Sequence, residues 1–371
     1  MEKKKILVVS KSFYPENSPR SFRTTELVKQ LCREGHDVTL YTLKDDEHQQ
    51  PLAKEYGFTL KDLGKLKFRN FTLTNNNRVT FFIKRVLIRL TLMFLEYPDI
   101  ELMFKVKKAL KKETGYDLLI SVAVPHPVHW GVAWARTKSH RIAKTWVADC
   151  GDAYMGVVKH DSFGKAFYFK YVEKMFCRRA DVIAIPHIHM KVNYYPEFRN
   201  KIVEISQGFR FEDVQVKDAV VNNRVPTFAF AGVFIRTTRN PGPLLDYIIS
   251  TGKDFKFIAF TRTPDILQPY KEKLGDKIET RDYLPREALI KELSKMDFLV
   301  NIGFDPAQQA PSKLIDYYLS GRPILSLSNN EPDTKVVDEF FTANYANGFS
   351  YPSMDRFRIE NVTKKFLSLC R

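Results

Sequence analysis

Gln309-Ala-Pro-Ser-Lys-Leu-Ile-Asp-Tyr-Tyr-Leu-Ser-Gly-Arg-Pro-Ile-Leu325 reads as a loop, a helix opening near Ser312 and ending before Gly321, and a strand beyond it. Upstream, Phe298-Leu-Val-Asn301 is a short apolar run, so the helix is flanked by two strands, as in a parallel β-α-β unit. Where loop becomes helix, at Pro311-Ser312-Lys313, unpaired N–H groups and the helix dipole favour an anion, and Lys313 adds a full positive charge. Asp316 lies one turn further on. Its carboxylate can accept hydrogen bonds from a ribose diol, or it can simply complement the dipole of a capped helix.

The same grammar extends outward. Thr227–Ala231 and Phe255–Phe260 read as strands, with Gly232 opening a loop and Asn240-Pro241 starting a helix. At the front of the chain, Ile6-Leu-Val-Val-Ser10 is a strand, Ser18 caps a helix with Pro19 in its first turn, and Gly35 ends it before the alternating strand Asp37–Thr42. Further strands are expected at Leu118–Val122, Lys144–Ala148 and Val182–Ile185. The expected fold is α/β, with two doubly wound units in tandem. The polar stretch 203–226 is the expected linker, giving domains 1–202 and 203–371, with the last helix free to return to the first. Ligands of such sheets bind beyond the carboxyl ends of the strands.

Segment 309–325 resembles the nucleotide-sugar motif of glycosyltransferase family 4, E-x7-E followed by a helix and G-x-P. Asp316 matches the second acid, the ribose ligand of that family, while the first falls on Gln308 and its charge is missing. Ile6-Leu-Val-Val9, Tyr14-Pro15, Arg23-Thr24 and Glu34-Gly-His-Asp-Val-Thr39 are similar to the family's opening, with Asn17-Ser-Pro19 in place of its glycine pair. Asp117–Ser121, Pro125-His126-Pro127, Trp146–Asp152 and Ala180–Ile183 continue the likeness. The resemblance implies GT-B architecture: two Rossmann-like domains facing across a cleft, the first binding acceptor and the second binding nucleotide sugar. It also implies a hexosyltransferase-like enzyme of cell-surface polysaccharide biosynthesis that retains anomeric configuration. A catalytically silent binding protein and a sugar-nucleotide epimerase on the same scaffold are the alternatives.

Arg236 and Arg239 follow the strand ending at Ala231, and two guanidiniums there suit a diphosphate, where the family also places a basic pair. His126 follows a predicted strand, at the position of a family histidine that touches the transferred sugar, with His129 a close competitor. Asp152 ends the next predicted strand and is expected to contact a substrate hydroxyl, whereas Asp149 can serve as a structural partner. No D-x-D triplet is present, and Asp45-Asp46-Glu47 sits in a charged loop, so neither a metal nor a cofactor is expected beyond the nucleoside diphosphate sugar itself (UDP-linked or similar).

A content of 44% hydrophobic and 27% charged residues is that of an ordinary globular chain. No apolar run is long enough to cross a bilayer, and the four dispersed cysteines lack disulfide or zinc spacing, which reads as a reduced, cytoplasmic protein. The net charge of +16 is uneven: residues 1–200 hold 35 Lys and Arg against 21 Asp and Glu, while residues 201–371 hold 24 against 22. The excess is densest in 61–112, with 13 bases and 4 acids around the helical segment Phe81–Glu96. That segment suits either a domain core or an anionic membrane surface. No nucleic-acid motif accompanies the charge. A saccharide or lipid-linked acceptor, reached from the inner face of the membrane, is the expected second substrate.

Overall fold

Ile6 and Val8 of β1 (Lys5–Ser10) lie in one apolar cluster and Leu7 and Val9 in another, all four fully buried. A strand buried on both faces needs helices on each side of a parallel sheet, and the computed structural model builds that arrangement twice. It describes residues 2–68, 78–156, 164–214, 216, 222–303, 312–328, 331–349 and 353–370.

The first unit runs from Met1 to Phe209 and takes back Asp355–Arg371. After β1 come α1 (Pro19–Arg33), β2 (Asp37–Thr42), α2 (Asp46–Tyr56), β3 (Thr59–Asp62), α3 (Arg78–Leu95), α4 (Glu101–Leu110), β4 (Tyr116–Val122) and α5 (Pro127–Ala135). They are followed by β5 (Ala143–Asp149), α6 (Phe169–Arg179), β6 (Val182–Ile185) and β7 (Ile202–Glu204). The seven strands are parallel in the order β3-β2-β1-β4-β5-β6-β7.

The second unit, Arg210–Met354, contains β8 (Thr227–Ala231), α7 (Gly242–Ser250), β9 (Lys256–Phe260), α8 (Gln268–Leu274), β10 (Ile278–Arg281) and α9 (Arg286–Leu293). It continues with β11 (Phe298–Gly303), α10 (Ser312–Leu319), β12 (Ile324–Ser328) and α11 (Thr334–Phe341). Its five parallel strands run β10-β9-β8-β11-β12. Phe228 and Phe230 fill one face of that sheet, with Ala229 and Ala231 on the other.

The expected boundary at 202/203 is corrected. Ile202–Glu204 pairs with β6 as the edge strand of the first sheet, so the division falls after Phe209. The last helix, α12 (Ile359–Ser368), belongs to the first unit, with Ile359, Val362 and Phe366 in the core cluster that holds Leu27, Val28 and Leu31 of α1.

Ser18 caps α1 by accepting from the Ser21 N–H, with Pro19 in the first turn. The helix is tied to the sheet by charge. Arg23 grips Asp149 through Nε and Nη2, the latter at 2.7 Å, and donates to the carbonyls of Ser206 at 2.7 Å and Ile205 at 3.0 Å. Both side chains are essentially inaccessible, and the Phe366 ring lies 5.6 Å from the guanidinium carbon. Asp149→Ala would leave a guanidinium buried without its counter-ion, a loss of about 3–5 kcal/mol. All three tryptophans, Trp130, Trp134 and Trp146, lie in this unit, so denaturant unfolding followed by tryptophan fluorescence measures it directly. A loss below about 1 kcal/mol would put the pair among surface-grade ion pairs.

Candidate functional site

In the second unit the strand order reverses between β8 and β11, so a crevice opens at their carboxyl ends. After β8 the chain turns tightly: the Arg239 N–H donates to the Ile235 carbonyl at 2.8 Å, and the Ile235 N–H donates back to Arg239 at 3.2 Å. This turn lies directly on the end of β11. Gly303 has φ +107°, and a Cβ there would stand 2.1 Å from the Thr238 carbonyl oxygen and 2.8 Å from Arg239 Cγ. Any other residue would push the loop away.

Across from the turn, α10 is held by Tyr317, whose hydroxyl donates to the Val300 carbonyl at 3.2 Å and accepts from the Ala231 N–H at 2.8 Å. Helix α10 thereby fixes Lys313. Among the described residues its ammonium has no hydrogen-bond partner; it is shut off from solvent and sits 4.8 Å from the centre of the Phe230 ring. Burial, assisted by the positive field of Arg239, lowers its pKa from 10.5 to about 7. Asp316 is bound through Oδ1 to Arg286 Nε at 2.6 Å; burial pushes its carboxyl up and the guanidinium opposes that. Arg236 is exposed in the turn. Ser312 opens α10 with its side chain outside the described residues, as are Gln308 and Gln309–Pro311 entirely.

In the first unit the corresponding crevice lies between β1 and β4. His126, just past β4, is 5% exposed; among the described residues Nδ1 has no partner, and the nearby Asp152 backbone favours the protonated ring. Burial, the Arg20 charge and the Lys165 charge together lower its pKa to about 3. His129 is different. Its Nδ1 meets Ser121 Oγ at 2.8 Å and its Nε2 meets Cys150 Sγ at 3.3 Å, while Trp146 Nε1 donates to the same Ser121 Oγ at 2.8 Å. It is a satisfied core histidine, whereas His126 keeps a buried ring nitrogen without a partner among the described residues. Asp152 is part-buried with its carboxylate in the field of Arg20; Asp149 is consumed by Arg23.

No family model and no curated protein matches the chain. Solved structures do match. A glycosyltransferase from Rickettsia africae ESF-5 aligns over 100% of this chain and 98% of its own, with TM-score 0.58 at 14% identity. The lipopolysaccharide outer core galactosyltransferase WaaB, in its apo form, aligns over 98% and 95%, with TM-score 0.55 at 11% identity. The chain has the GT-B fold. UDP-GlcNAc 2-epimerase from Methanocaldococcus jannaschii aligns over 99% of both chains, with TM-score 0.52 at 11% identity.

Within this GT-B framework the sequence reading passed over two arginines. Arg286, at the start of α9, becomes the partner of Asp316, and nothing local marks it. Arg20 is in the first turn of α1, and its guanidinium lies so close to Gly151 that a Cβ there would be 1.9 Å from Nη2. A signal did exist for it, since a cation in a first helical turn opposes the dipole and calls for a compensating anion.

The desolvated ammonium of Lys313 sets a pH dependence. Because its folded pKa lies below 10.5, the unfolded chain binds more protons between about pH 7 and 10.5, and stability rises with pH across that window. Lys313→Met should therefore raise the melting temperature at pH 6, where the cost is present in full, with the gain shrinking as pH climbs past about 7. A pH-independent difference would mean the ammonium is not desolvated.

Proposed function

We propose that the chain transfers a sugar from a nucleoside diphosphate sugar to a saccharide or lipid-linked acceptor. The observation that carries this reading is the unpaired, desolvated Lys313 beside Arg239 at the carboxyl edge of the second sheet. Cations held this way stabilise a diphosphate as it departs, without reorganising during the reaction. Arg239 and Lys313 grip the phosphates, the N–H groups at Ser312 complete the anion site, and Arg236 adds an outer charge. With Oδ1 of Asp316 on Arg286, Oδ2 accepts from the ribose. The neutral His126 accepts a hydroxyl of the transferred sugar at Nδ1, and Asp152 contacts a second hydroxyl. The reaction is metal-independent and retaining in this reading, with a donor phosphate oxygen taking the acceptor proton.

An epimerase needs carboxylates in the first unit's crevice, and Asp149 is already committed to Arg23. That favours transfer. Arg239→Ala and Lys313→Ala should each weaken UDP or GDP binding by about 1.5–3 kcal/mol, measured calorimetrically in EDTA. Asp316→Asn should weaken the nucleotide but not inorganic pyrophosphate. Unchanged nucleotide affinity in both cation variants would remove the donor site; normal binding without turnover would leave a silent binding protein.

The acceptor side of the reading includes an anionic membrane surface. Helix α3 exposes Phe82 (67%), Ile83 (51%), Leu87 (50%) and Leu95 (56%), and Phe167, near its end, is 74% exposed. The Ala166 N–H donates to the Met93 carbonyl at 3.0 Å, which joins the two segments. Arg85 on α3 and Lys107 and Lys108 on α4 supply charge, with Lys107 Nζ 3.4 Å from the centre of the Trp134 ring. No helix among the described residues is long and apolar enough to cross a membrane. Apolar side chains flanked by bases suit docking at an interface, each base contributing about 1 kcal/mol near anionic lipid. Flotation with phosphatidylserine vesicles should recover the protein at low salt, less of it at 1 M salt, and little of a Phe82→Asp, Leu87→Asp variant. A wild type that ignores these vesicles would exclude peripheral docking at an anionic leaflet.

A further inference from the structure

Arg20 makes no hydrogen bond or ion pair through its guanidinium among the described residues, although it is part-buried against the sheet edge. The other cations around it are spoken for: Arg23 holds Asp149, and Lys165 holds Glu96. Asp152, the remaining acid nearby, shares Arg20's field without bonding to it. The first turn of α1 contains no acidic residue to satisfy the dipole. Arg20 and His126 share one turn of chain: the guanidinium rests on Gly151, and the imidazole lies in the field of Arg20 and of the Asp152 backbone. His126, 95% buried by virtue of its 5% exposure, supplies an independent unpartnered atom at the same place. A fork of donors without an anion of its own matches a ligand bearing a negative group.

We infer that Arg20 anchors an anionic acceptor, a saccharide carrying a carboxylate or a phosphate, in the crevice of the first unit. The inference rests on the transferase reading and narrows its substrate class. The anion takes the guanidinium and the positive end of α1, beside the His126 ring.

Histidine-selective NMR tests it on the full chain, with glucuronate and inorganic phosphate as probes and glucose as the neutral control. Either anion should shift the His126 ring signals saturably, and glucose at equal concentration should not. Tighter glucuronate points to a sugar acid, tighter phosphate to a phosphorylated acceptor. Arg20→Gln should weaken the preferred anion about tenfold or more, Arg20→Lys should recover part of that, and Asp152→Asn, which removes a repelling charge, should tighten it. UDP binding, measured in parallel, separates the two readings, because a protein that binds neither UDP nor GDP fails as a transferase whatever the anions do. Four outcomes overturn the inference. Anions can leave His126 unmoved in the wild type, or glucose can shift it equally. Asp152→Asn can leave anion affinity unchanged, a result that stands even if Arg20→Gln unfolds. Arg20→Gln can weaken UDP as much as it weakens glucuronate, which would assign the charge to the donor.

Discussion

The ion pair between Arg23 and Asp149 is what the first unit is arranged around. Desolvating both groups is expensive, and Coulombic attraction alone seldom recovers the cost. Here the guanidinium also satisfies the carbonyls of Ile205 and Ser206, so one side chain binds α1, the end of β5 and the chain beyond β7. Phe366 of α12 closes over it, which explains why the chain returns to this unit at its end. The consequence reaches the crevice. Arg20 and Arg23 are three residues apart and share a face of α1, so fixing the second aims the first at Gly151.

A division of labour among the buried cations follows. Arg23, Arg136, Lys165 and Arg286 each meet a carboxylate and hold structure together. Among the described residues Arg20 and Lys313 do not, and both follow strands where the sheet order reverses. For Lys313 the desolvation penalty outweighs what the Phe230 ring returns, since a cation–π contact is worth about 0.5–2 kcal/mol and the pKa still falls to about 7. Folding therefore stores an unmet demand for negative charge at these two edges, each within its own unit. An anion arriving there finds donors already oriented, with little reorganisation left to oppose it.

What the sequence disclosed, and what it hid, follows from burial. Runs such as Ile6–Val9, Val182–Ile185 and Phe228–Ala231 were readable as strands because both faces are covered and their side chains are apolar. The strands it passed over, Thr59–Asp62, Ile202–Glu204 and Ile278–Arg281, are all at sheet edges, part-exposed and rich in polar residues. Missing β7 is what displaced the domain boundary. Strand β12 is also at an edge, yet Ile324, Leu325 and Leu327 are buried, and it was legible. At the site, Arg239 and Lys313 could be read because loop, cation and helix start are adjacent in sequence. That the ring nitrogens of His129 are taken could not, since Ser121 and Cys150 are partners that only the fold brings within reach of one ring. Asp316 showed its position in the sequence but not its tie to Arg286, thirty residues away.

Helix α3 shows where hydrophobic pattern alone misleads. Its broad apolar face argued for the core, yet most of its side chains are exposed. The reason is topological. The crossover from β3 to β4 carries two helices, and the sheet has room beneath it for one. Leu102, Val106 and Leu110 of α4 occupy that place, fully buried, and α4 lies so close to α5 that a Cβ on Gly131 would come within 2.6 Å of Val106 Cβ. With the sheet face filled, α3 is left largely exposed among the described residues. Its side chains are still those of a buried helix, and an exposed apolar patch of this kind marks an interaction site more often than it marks indifference to water. Had the helix evolved only for solubility, the bases at Arg85, Lys107 and Lys108 would suffice and the phenylalanine and leucines beside them would cost about 25 cal/mol for every Å² left wet. The pairing of the two, apolar face with basic flank, is the pattern that suits a surface apolar within and negative at its boundary.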